Sequence, residues 1–234
     1  MQARGILINY EGTIDTNGQH WGAILWHKFQ KHIIGLDKSV FNRAYAYSEK
    51  VLASEAIIQP SHVFLDVLVH KITQQFHYLT NQGYQLDYGA ISTIAQECNN
   101  LAVRTLRKTQ HILESLSSTF PIVLVADFYG NLNSVLAEFG IKKYFSDVVE
   151  SSTSGMHFNT EIYERGVSRL GYAAEECVAV GDSYNRDILP SKAVGCQTVW
   201  LNVMGWEEWG IDELDITDAE IADFSQLPGL LERW

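Results

Sequence analysis

The sequence predicts an α/β fold in which helices cover a parallel sheet and a helical segment interrupts the chain after the first strand. Short apolar runs, each followed by polar residues or glycine, alternate with helix-like segments over the second half of the chain. Strands that alternate with helices in this way form parallel sheets with right-handed crossovers. The first apolar run, residues 6–8, is instead followed by helix-like segments alone through residues 16–100.

The first strand is predicted at residues 6–8 and ends in a polar loop that contains Asn9, Glu11, Gly12 and Thr13. A short apolar run that is broken by glycine is typical of a buried strand followed by a turn. Ligands of open parallel sheets bind outside the carboxyl ends of the strands. The loop is therefore a candidate functional site.

The helical segment that follows has apolar residues at three- and four-residue spacing, which is typical of amphipathic helices. Helices are predicted at residues 21–34, 38–53, 61–82 and 86–99, and a further one at residues 101–118. We therefore divide the chain into a core domain, residues 1–15 and 101–234, and an inserted helical domain, residues 16–100.

The rest of the chain alternates between strands and helices. Further strands are predicted at residues 121–125, 147–150, 176–180, 197–201 and 219–222. Helices are predicted between and after them at residues 132–139, 160–170, 188–193 and 227–231. The carboxyl ends of parallel strands meet at one edge of a sheet. The loops that contain Asp127, His157 and Asp182 each follow one of the predicted strands.

Composition and charge narrow the classes of function. The chain has 234 residues, 46% of them hydrophobic, and a net charge of -11. This charge argues against nucleic acid or an anionic membrane as a partner. Three widely spaced cysteines are typical of a reducing compartment, and we find neither a signal peptide nor an apolar stretch long enough to span a bilayer. A cytoplasmic protein is expected.

Two loops carry a resemblance to a known family. The residues Asn9-Tyr10-Glu11-Gly12-Thr13 and the segment Gly181-Asp182-Ser183-Tyr184-Asn185-Arg186-Asp187 resemble the first and fourth motifs of the haloacid dehalogenase (HAD)-like hydrolase superfamily, most of whose members are phosphatases. The family's motifs are Asp-x-Asp-Gly-Thr after an apolar strand and Gly-Asp-Ser-x-x-x-Asp. The resemblance covers nearly the whole chain. It implies a Rossmann-like core with a helical cap, residues 16–100, that closes over the active site.

The resemblance also implies a role for each matching position. Asn9 stands where the family has its nucleophilic Asp, and Glu11 stands where it has the Asp that acts as general acid and base. Asp182 matches a magnesium ligand, and Asp187 matches a carboxylate that supports the metal. The implied metal set is therefore Asn9, Glu11, Asp182 and Asp187, and carboxylate oxygens are ligands that magnesium prefers.

The implied phosphate contacts differ from the family pattern. Thr13 is retained, but Ala126 stands where the family has a phosphate-binding Ser or Thr, and it is followed by Asp127. His157 falls where the family has a Lys, and a free His has a pKa of about 6.5, so its charge is partial near neutral pH. Taken without the resemblance, these positions would be ordinary turn, cap and surface residues.

Two functions stay open at the level of sequence. Covalent catalysis by a carboxylate needs a negatively charged oxygen, which the amide of Asn9 lacks. The first hypothesis is a pseudoenzyme with weak or no phosphatase activity, or a binder of a small phosphorylated or anionic metabolite, that holds magnesium weakly if at all. The second is an active magnesium-dependent phosphomonoester hydrolase in which Glu11 or Asp127 supplies the missing carboxylate.

Overall fold

The protein is described by a computed structural model that covers residues 3–154, 160–203 and 216–234. Its strands are β1 (Gly5–Asn9), β2 (Ile122–Ala126), β3 (Asp147–Glu150), β4 (Cys177–Gly181), β5 (Gln197–Leu201) and β6 (Ala219–Ile221). In the described residues they form one six-stranded sheet with the order β3-β2-β1-β4-β5-β6. All neighbouring strands are parallel, so the predicted α/β sheet is confirmed.

The strand β1 lies inside the sheet. Ile8 pairs with Leu124 of β2 on one side and with Val180 of β4 on the other. Every residue of β1, β2 and β4 is buried, as is typical of a parallel sheet covered on both faces. The register places the polar loops after these three strands at the same edge of the sheet.

Four long helices lie between β1 and β2: α1 (Trp21–His32), α2 (Lys38–Ser54), α3 (Phe64–Asn81) and α4 (Ala90–Ser117). The remaining α-helices of the described residues are α5 (Leu132–Glu138), α6 (Ser151–Ser154), α7 (Thr160–Leu170), α8 (Leu189–Val194) and α9 (Leu227–Leu231). We call residues 16–100 the helical insertion. Inside it, the ring of Phe29 lies 5.2 Å from that of Phe41 and 5.5 Å from that of Phe76, and these rings belong to an apolar cluster that continues into the sheet.

One predicted helix boundary is wrong. The sequence predicts two helices that meet near residue 100, whereas α4 continues from Ala90 to Ser117. The buried positions Ile94, Cys98, Ala102 and Leu106 repeat every four residues, so the apolar face passes through residue 100 without a break. The boundary drawn there lies inside a helix, and the division into two domains stays a prediction.

None of the helices in the described ranges combines the length and the apolar character that a membrane span needs.

The helical insertion contacts the loop after β2 and the helix α5. Tyr129 Oη donates to Glu49 Oε2 at 2.6 Å, and Asn131 Nδ2 donates to the backbone oxygen of His62 at 2.8 Å. Ser134 Oγ donates to the backbone oxygen of Pro60 at 2.6 Å. These hydrogen bonds hold the insertion over the edge of the sheet at which the polar loops lie.

Candidate active site

The loop after β1 is folded around the carboxylate of Asp15. The backbone N–H of Gly12 donates to Asp15 Oδ1 at 2.8 Å, and the indole N–H of Trp21 donates to Asp15 Oδ2 at 2.7 Å. Burial raises the pKa of Asp15 to about 7. Gly12 has a φ of 84°, and a Cβ atom on it would overlap the carboxylate of Asp182. Glycine at this position therefore allows both the positive φ and the close approach of the loops after β1 and β4.

The loop after β4 brings two carboxylates to the same edge of the sheet. Thr13 Oγ1 donates to Asp182 Oδ1 at 2.8 Å, so the loops after β1 and β4 are joined directly. Burial, followed by repulsion from Asp187, raises the pKa of Asp182 well above its usual range. Burial also raises the pKa of Asp187 to about 6. The charged forms of Asp182 and Asp187 therefore need nearby hydrogen-bond donors or cations to stabilise them.

Asp187 accepts hydrogen bonds from three groups. The hydroxyl of Tyr163 donates to Oδ1 at 2.8 Å, and the backbone N–H of Ser183 donates to Oδ2 at 3.0 Å. Asn9 Nδ2 also donates to Asp187 Oδ2, at 3.2 Å, and to the backbone oxygen of Glu11, at 3.1 Å. The amide of Asn9 therefore enters the site as a hydrogen-bond donor that connects the loops after β1 and β4.

These loops and the helical insertion enclose a small cleft with a volume of about 100 Å³. The sheet edge and the insertion both contribute to its wall. The lining residues are Asn9, Glu11, Gly12, His20, Trp21, Tyr45, Glu49, Asp127, Asp182, Ser183 and Arg186. A cleft of this size suits a ligand of few atoms.

Arg186 brings a positive charge to the cleft from the loop after β4. Its Nη2 donates to Asp127 Oδ2 at 2.6 Å, and Ser151 Oγ donates to the other oxygen of Asp127 at 2.5 Å. Asp127 is therefore neutralised by an ion pair. The sequence predicts only the negative charge of Asp127 beside the phosphate, and the structure adds a guanidinium to it.

Lys71, in α3 of the insertion, places a second positive charge near Glu11. Its Nζ lies 2.8 Å from Glu49 Oε1 and 3.8 Å from Glu11 Oε1. Burial raises the pKa of Glu11, and the ammonium of Lys71 opposes that rise only in part. Glu11 therefore retains a proton more readily than an exposed glutamate, as a general acid requires.

The predicted site residues occupy different positions relative to the cleft. Asn9, Glu11, Asp127 and Asp182 line it. Thr13 contacts Asp182, and Asp187 lies behind Asn9 with 1% of its surface exposed. Ala126 is fully buried as the last residue of β2. His157 lies outside the described residues. The catalytic, phosphate and metal roles of all these residues stay predictions.

The donor set at the cleft does not fit a magnesium ion. Magnesium takes oxygen ligands in near-octahedral geometry, whereas Asn9 directs its nitrogen at the backbone oxygen of Glu11 and at Asp187. In the parts of the chain that the structure describes, no three His, Cys, Asp or Glu side chains are grouped so that they could hold a metal ion. The geometry of Asn9 therefore counts against the metal set that the resemblance implies.

Three charged residues at this edge were not among the residues predicted from the sequence: Glu49, Lys71 and Arg186. One signal was available for Lys71. It lies next to Ile72 and follows Val67 and Leu68 on the buried face of α3, where a lysine is rare unless its charge is paired. Arg186 lies inside the Gly-Asp-Ser segment, but nothing in the spacing shows that its side chain reaches Asp127.

Comparison with known proteins agrees with the resemblance. Residues 101–195 match the model of the haloacid dehalogenase-like hydrolase family. A glyceraldehyde 3-phosphate phosphatase of Methanocaldococcus jannaschii is 40% identical over 65 residues, which are 27% of this chain and 28% of that protein. A glyceraldehyde 3-phosphate phosphatase of Methanothermobacter thermautotrophicus is 30% identical over 99 residues, 41% of this chain and 44% of that protein. The chain thus matches less than half of the length of either relative.

The fold is similar over a much longer part of the chain. The HAD-hydrolase YfnB of Bacillus subtilis, solved bound to magnesium, aligns with a TM-score of 0.60 and 17% identity, over 99% of this chain and 100% of that one. At this identity the likeness concerns the fold. Residues 101–195 are thus similar in sequence to a haloacid dehalogenase-like hydrolase domain, and the chain shares the fold of that solved structure.

Proposed function

We propose that this protein binds a small phosphorylated or otherwise anionic metabolite and hydrolyses it slowly or not at all. The observation that carries the proposal is the amide of Asn9 at the end of β1, in the place of the family's nucleophile. Its nitrogen donates to Asp187 and to the backbone oxygen of Glu11. Binding in this cleft is expected to persist because Arg186 remains in its wall.

The loss of activity follows from the chemistry of phosphoryl transfer by a covalent route. A carboxylate nucleophile attacks phosphorus with a negatively charged oxygen, and an amide oxygen is neutral and a poor nucleophile. Catalysis of this reaction otherwise consists of positioning and charge stabilisation. The remaining groups can therefore hold a phosphate, but they do not replace the bond-forming atom.

A second candidate function is a magnesium-dependent phosphomonoester hydrolase with an altered site. Two relatives named glyceraldehyde 3-phosphate phosphatase favour it. Glu11 or Asp127 would have to supply the attacking carboxylate. Asp127 is engaged by Arg186 and Ser151, and Glu11 has a raised pKa beside Lys71. The contacts of Asp127 lower the nucleophilicity of its carboxylate, and the raised pKa of Glu11 lowers the fraction of its side chain that is ionised, so we rank this candidate second.

The relatives also supply the first ligand to test. Glyceraldehyde 3-phosphate is small enough to be tried in a cleft of about 100 Å³. A partner that is a small metabolite, with no nucleic acid or membrane involved, and a cytoplasmic location also belong to this proposal. The expected partner rests on the net charge of -11 and on the polar groups that line the cleft, and the expected location rests on the three widely spaced cysteines.

The test combines binding with turnover on the same preparation. Isothermal titration with glyceraldehyde 3-phosphate and with inorganic phosphate should detect binding. Phosphate release from glyceraldehyde 3-phosphate and from an aryl phosphate should stay at the background level with magnesium present. Asp182→Ala controls for a contaminating phosphatase, since contaminant activity would not change. Turnover by the wild type near the enzyme median of ~10 s⁻¹, and its loss in Asp182→Ala, would establish the second candidate instead.

A further inference from the structure

Several of the polar atoms that would face a divalent cation already accept hydrogen bonds from donors of the protein itself. Asn9 Nδ2 lies 3.1 Å from the backbone oxygen of Glu11 and 3.2 Å from Asp187 Oδ2. The opposite orientation of the amide would direct its oxygen at two other acceptor oxygens, which is unfavourable. The chemistry of the neighbours therefore determines that Asn9 presents its nitrogen to this region.

The carboxylates at the edge of the sheet also accept hydrogen bonds from groups of the protein. Asp187 accepts from Tyr163 and Ser183 as well as from Asn9. Asp182 Oδ1 accepts from Thr13 at 2.8 Å. A cation needs oxygen lone pairs that point toward it, and several lone pairs of this site point toward hydrogen atoms of the protein.

The positive charge of the cleft is provided by a side chain. In sequence, Arg186 lies between Asp182 and Asp187. In the structure, it lines the cleft. One edge of its guanidinium contacts Asp127 at 2.6 Å. A guanidinium has five N–H donors in a planar fork, so it can contact a carboxylate and a second anion together.

We propose that this cleft binds the anionic group of its ligand without a divalent metal, with Arg186 as the charged contact and the amide of Asn9 in place of the cation. The proposal rests on the proposed function, because it specifies how that ligand is bound. It assigns two roles. Asn9 satisfies Asp187 and the backbone of Glu11, and Arg186 supplies the positively charged donors that contact the anion.

The experiment is a titration of the full chain with inorganic phosphate, in EDTA and in millimolar magnesium. The wild-type dissociation constant should be the same in both. Arg186→Gln should weaken phosphate binding at least ~10-fold, the scale of one charge-assisted hydrogen bond. The dissociation constant of Arg186→Lys should lie between those of the wild type and Arg186→Gln, because lysine keeps the charge and lacks the planar fork of donors. Circular dichroism shows whether each variant is folded.

Arg169→Gln is the matched control for the loss of charge. Arg169 is 51% exposed and pairs with Asp147, much as Arg186 is 55% exposed and pairs with Asp127, but it does not line the cleft. Its removal should leave phosphate binding unchanged. Asn9→Asp should make phosphate binding stronger in magnesium than in EDTA, and titration with magnesium alone should detect binding in that variant and none in the wild type.

Each result distinguishes the inference from the function on which it rests. Wild-type phosphate binding that is lost in EDTA, or that is equal in Arg186→Gln and the wild type, would overturn the metal-free site. Rapid wild-type turnover together with metal-independent binding would overturn the proposed function and leave this inference standing. An absence of binding to phosphate under both conditions would overturn the inference, and glyceraldehyde 3-phosphate binding in the same assay would still support the function.

Discussion

Lys71 and Glu49 form an ion pair between two helices of the insertion, with Lys71 Nζ 2.8 Å from Glu49 Oε1. The side chain of Lys71 is 5% exposed, and its ammonium also lies 3.8 Å from Glu11 Oε1 at the edge of the sheet. Burial opposes the charge, but Glu49 and other neighbours hold the pKa of Lys71 above its usual value. The pair therefore links the insertion to the loop after β1 through a buried charge.

Lys71→Met is expected to destabilise the protein by about 3 kcal/mol, because it leaves Glu49 and Glu11 without their cation. Lys71→Met combined with Glu49→Gln should cost less than Lys71→Met alone. Urea unfolding measures both free energies. Lys28→Met is the control, since the Lys28–Glu97 pair is more exposed and should contribute less than about 1 kcal/mol. Equal costs for Lys28→Met and Lys71→Met would show that burial of the pair is unimportant.

His20 should make the stability depend on pH. Its Nδ1 accepts from the backbone N–H of Gly22 at the start of α1, which requires that nitrogen to be unprotonated. Burial lowers the pKa of His20 to about 4, with a further decrease due to Arg186 and Lys71 and an opposing effect of Glu49. An unfolded His has a pKa of about 6.5. The unfolded state therefore takes up a proton first, and stability is lost as the pH falls below about 6.5.

Between pH 7 and pH 5, this linkage amounts to about 2 kcal/mol of unfolding free energy. His20→Asn keeps a side chain that can cap the helix and removes the titration. The wild type should therefore lose about 2 kcal/mol more than His20→Asn over this range, as measured by urea unfolding at the two pH values. A pH dependence that is the same in both proteins would show that His20 is not kept neutral by the fold.

Gly12→Ala is expected to reduce stability through two separable effects. Gly12 has a φ of 84° and a Cβ atom there would overlap Asp182. Gly140 also has a positive φ, 69°, but a Cβ atom there meets nothing within 4 Å. Gly140→Ala should therefore cost about 1 kcal/mol for the backbone alone. Gly12→Ala should cost more, and it should also weaken phosphate binding. Equal losses of stability would mean that the loop moves away from Asp182 without cost.

Asn9→Asp alone should produce only a trace of phosphatase activity. It restores the anionic oxygen, but Ala126 has no hydroxyl to donate to the phosphate and His157 is expected to be only partly charged. One such donor is worth ~10²-fold in rate. Rates on an aryl phosphate with magnesium should therefore be at least ~10²-fold higher for the variant that combines Asn9→Asp, Glu11→Asp, Ala126→Ser and His157→Lys. A single variant as fast as the combined one would show that Asn9 alone removed the activity.

The fold could be predicted from the sequence because its signals are local. Each apolar run and the glycine or polar residue after it lie within a few positions, and the strands appear at the predicted places, including the edge strand Ala219–Ile221. The boundary near residue 100 was wrong for the same reason. The buried face of α4 continues from Cys98 to Ala102 across the two predicted segments, and neither segment alone contains this continuity.

The sequence by itself determined which residues arrive at the edge of the sheet. Asn9 and Asp187 are 178 positions apart, but Asn9 is the last residue of β1 and Asp187 follows β4, which is the neighbour of β1 in the sheet, so the order of the strands brings them together. Only the tertiary structure decided which hydrogen bonds and ion pairs these residues form. Whether Asn9 donates to Asp187, whether Arg186 reaches Asp127 and whether Lys71 approaches Glu11 depend on side-chain directions and on distances across the cleft. The first two distances follow from how the ends of β1, β2 and β4 and the loops after them pack together, and the third follows from how the insertion packs over the sheet. None of them can be derived from the spacing of residues within one segment of the chain.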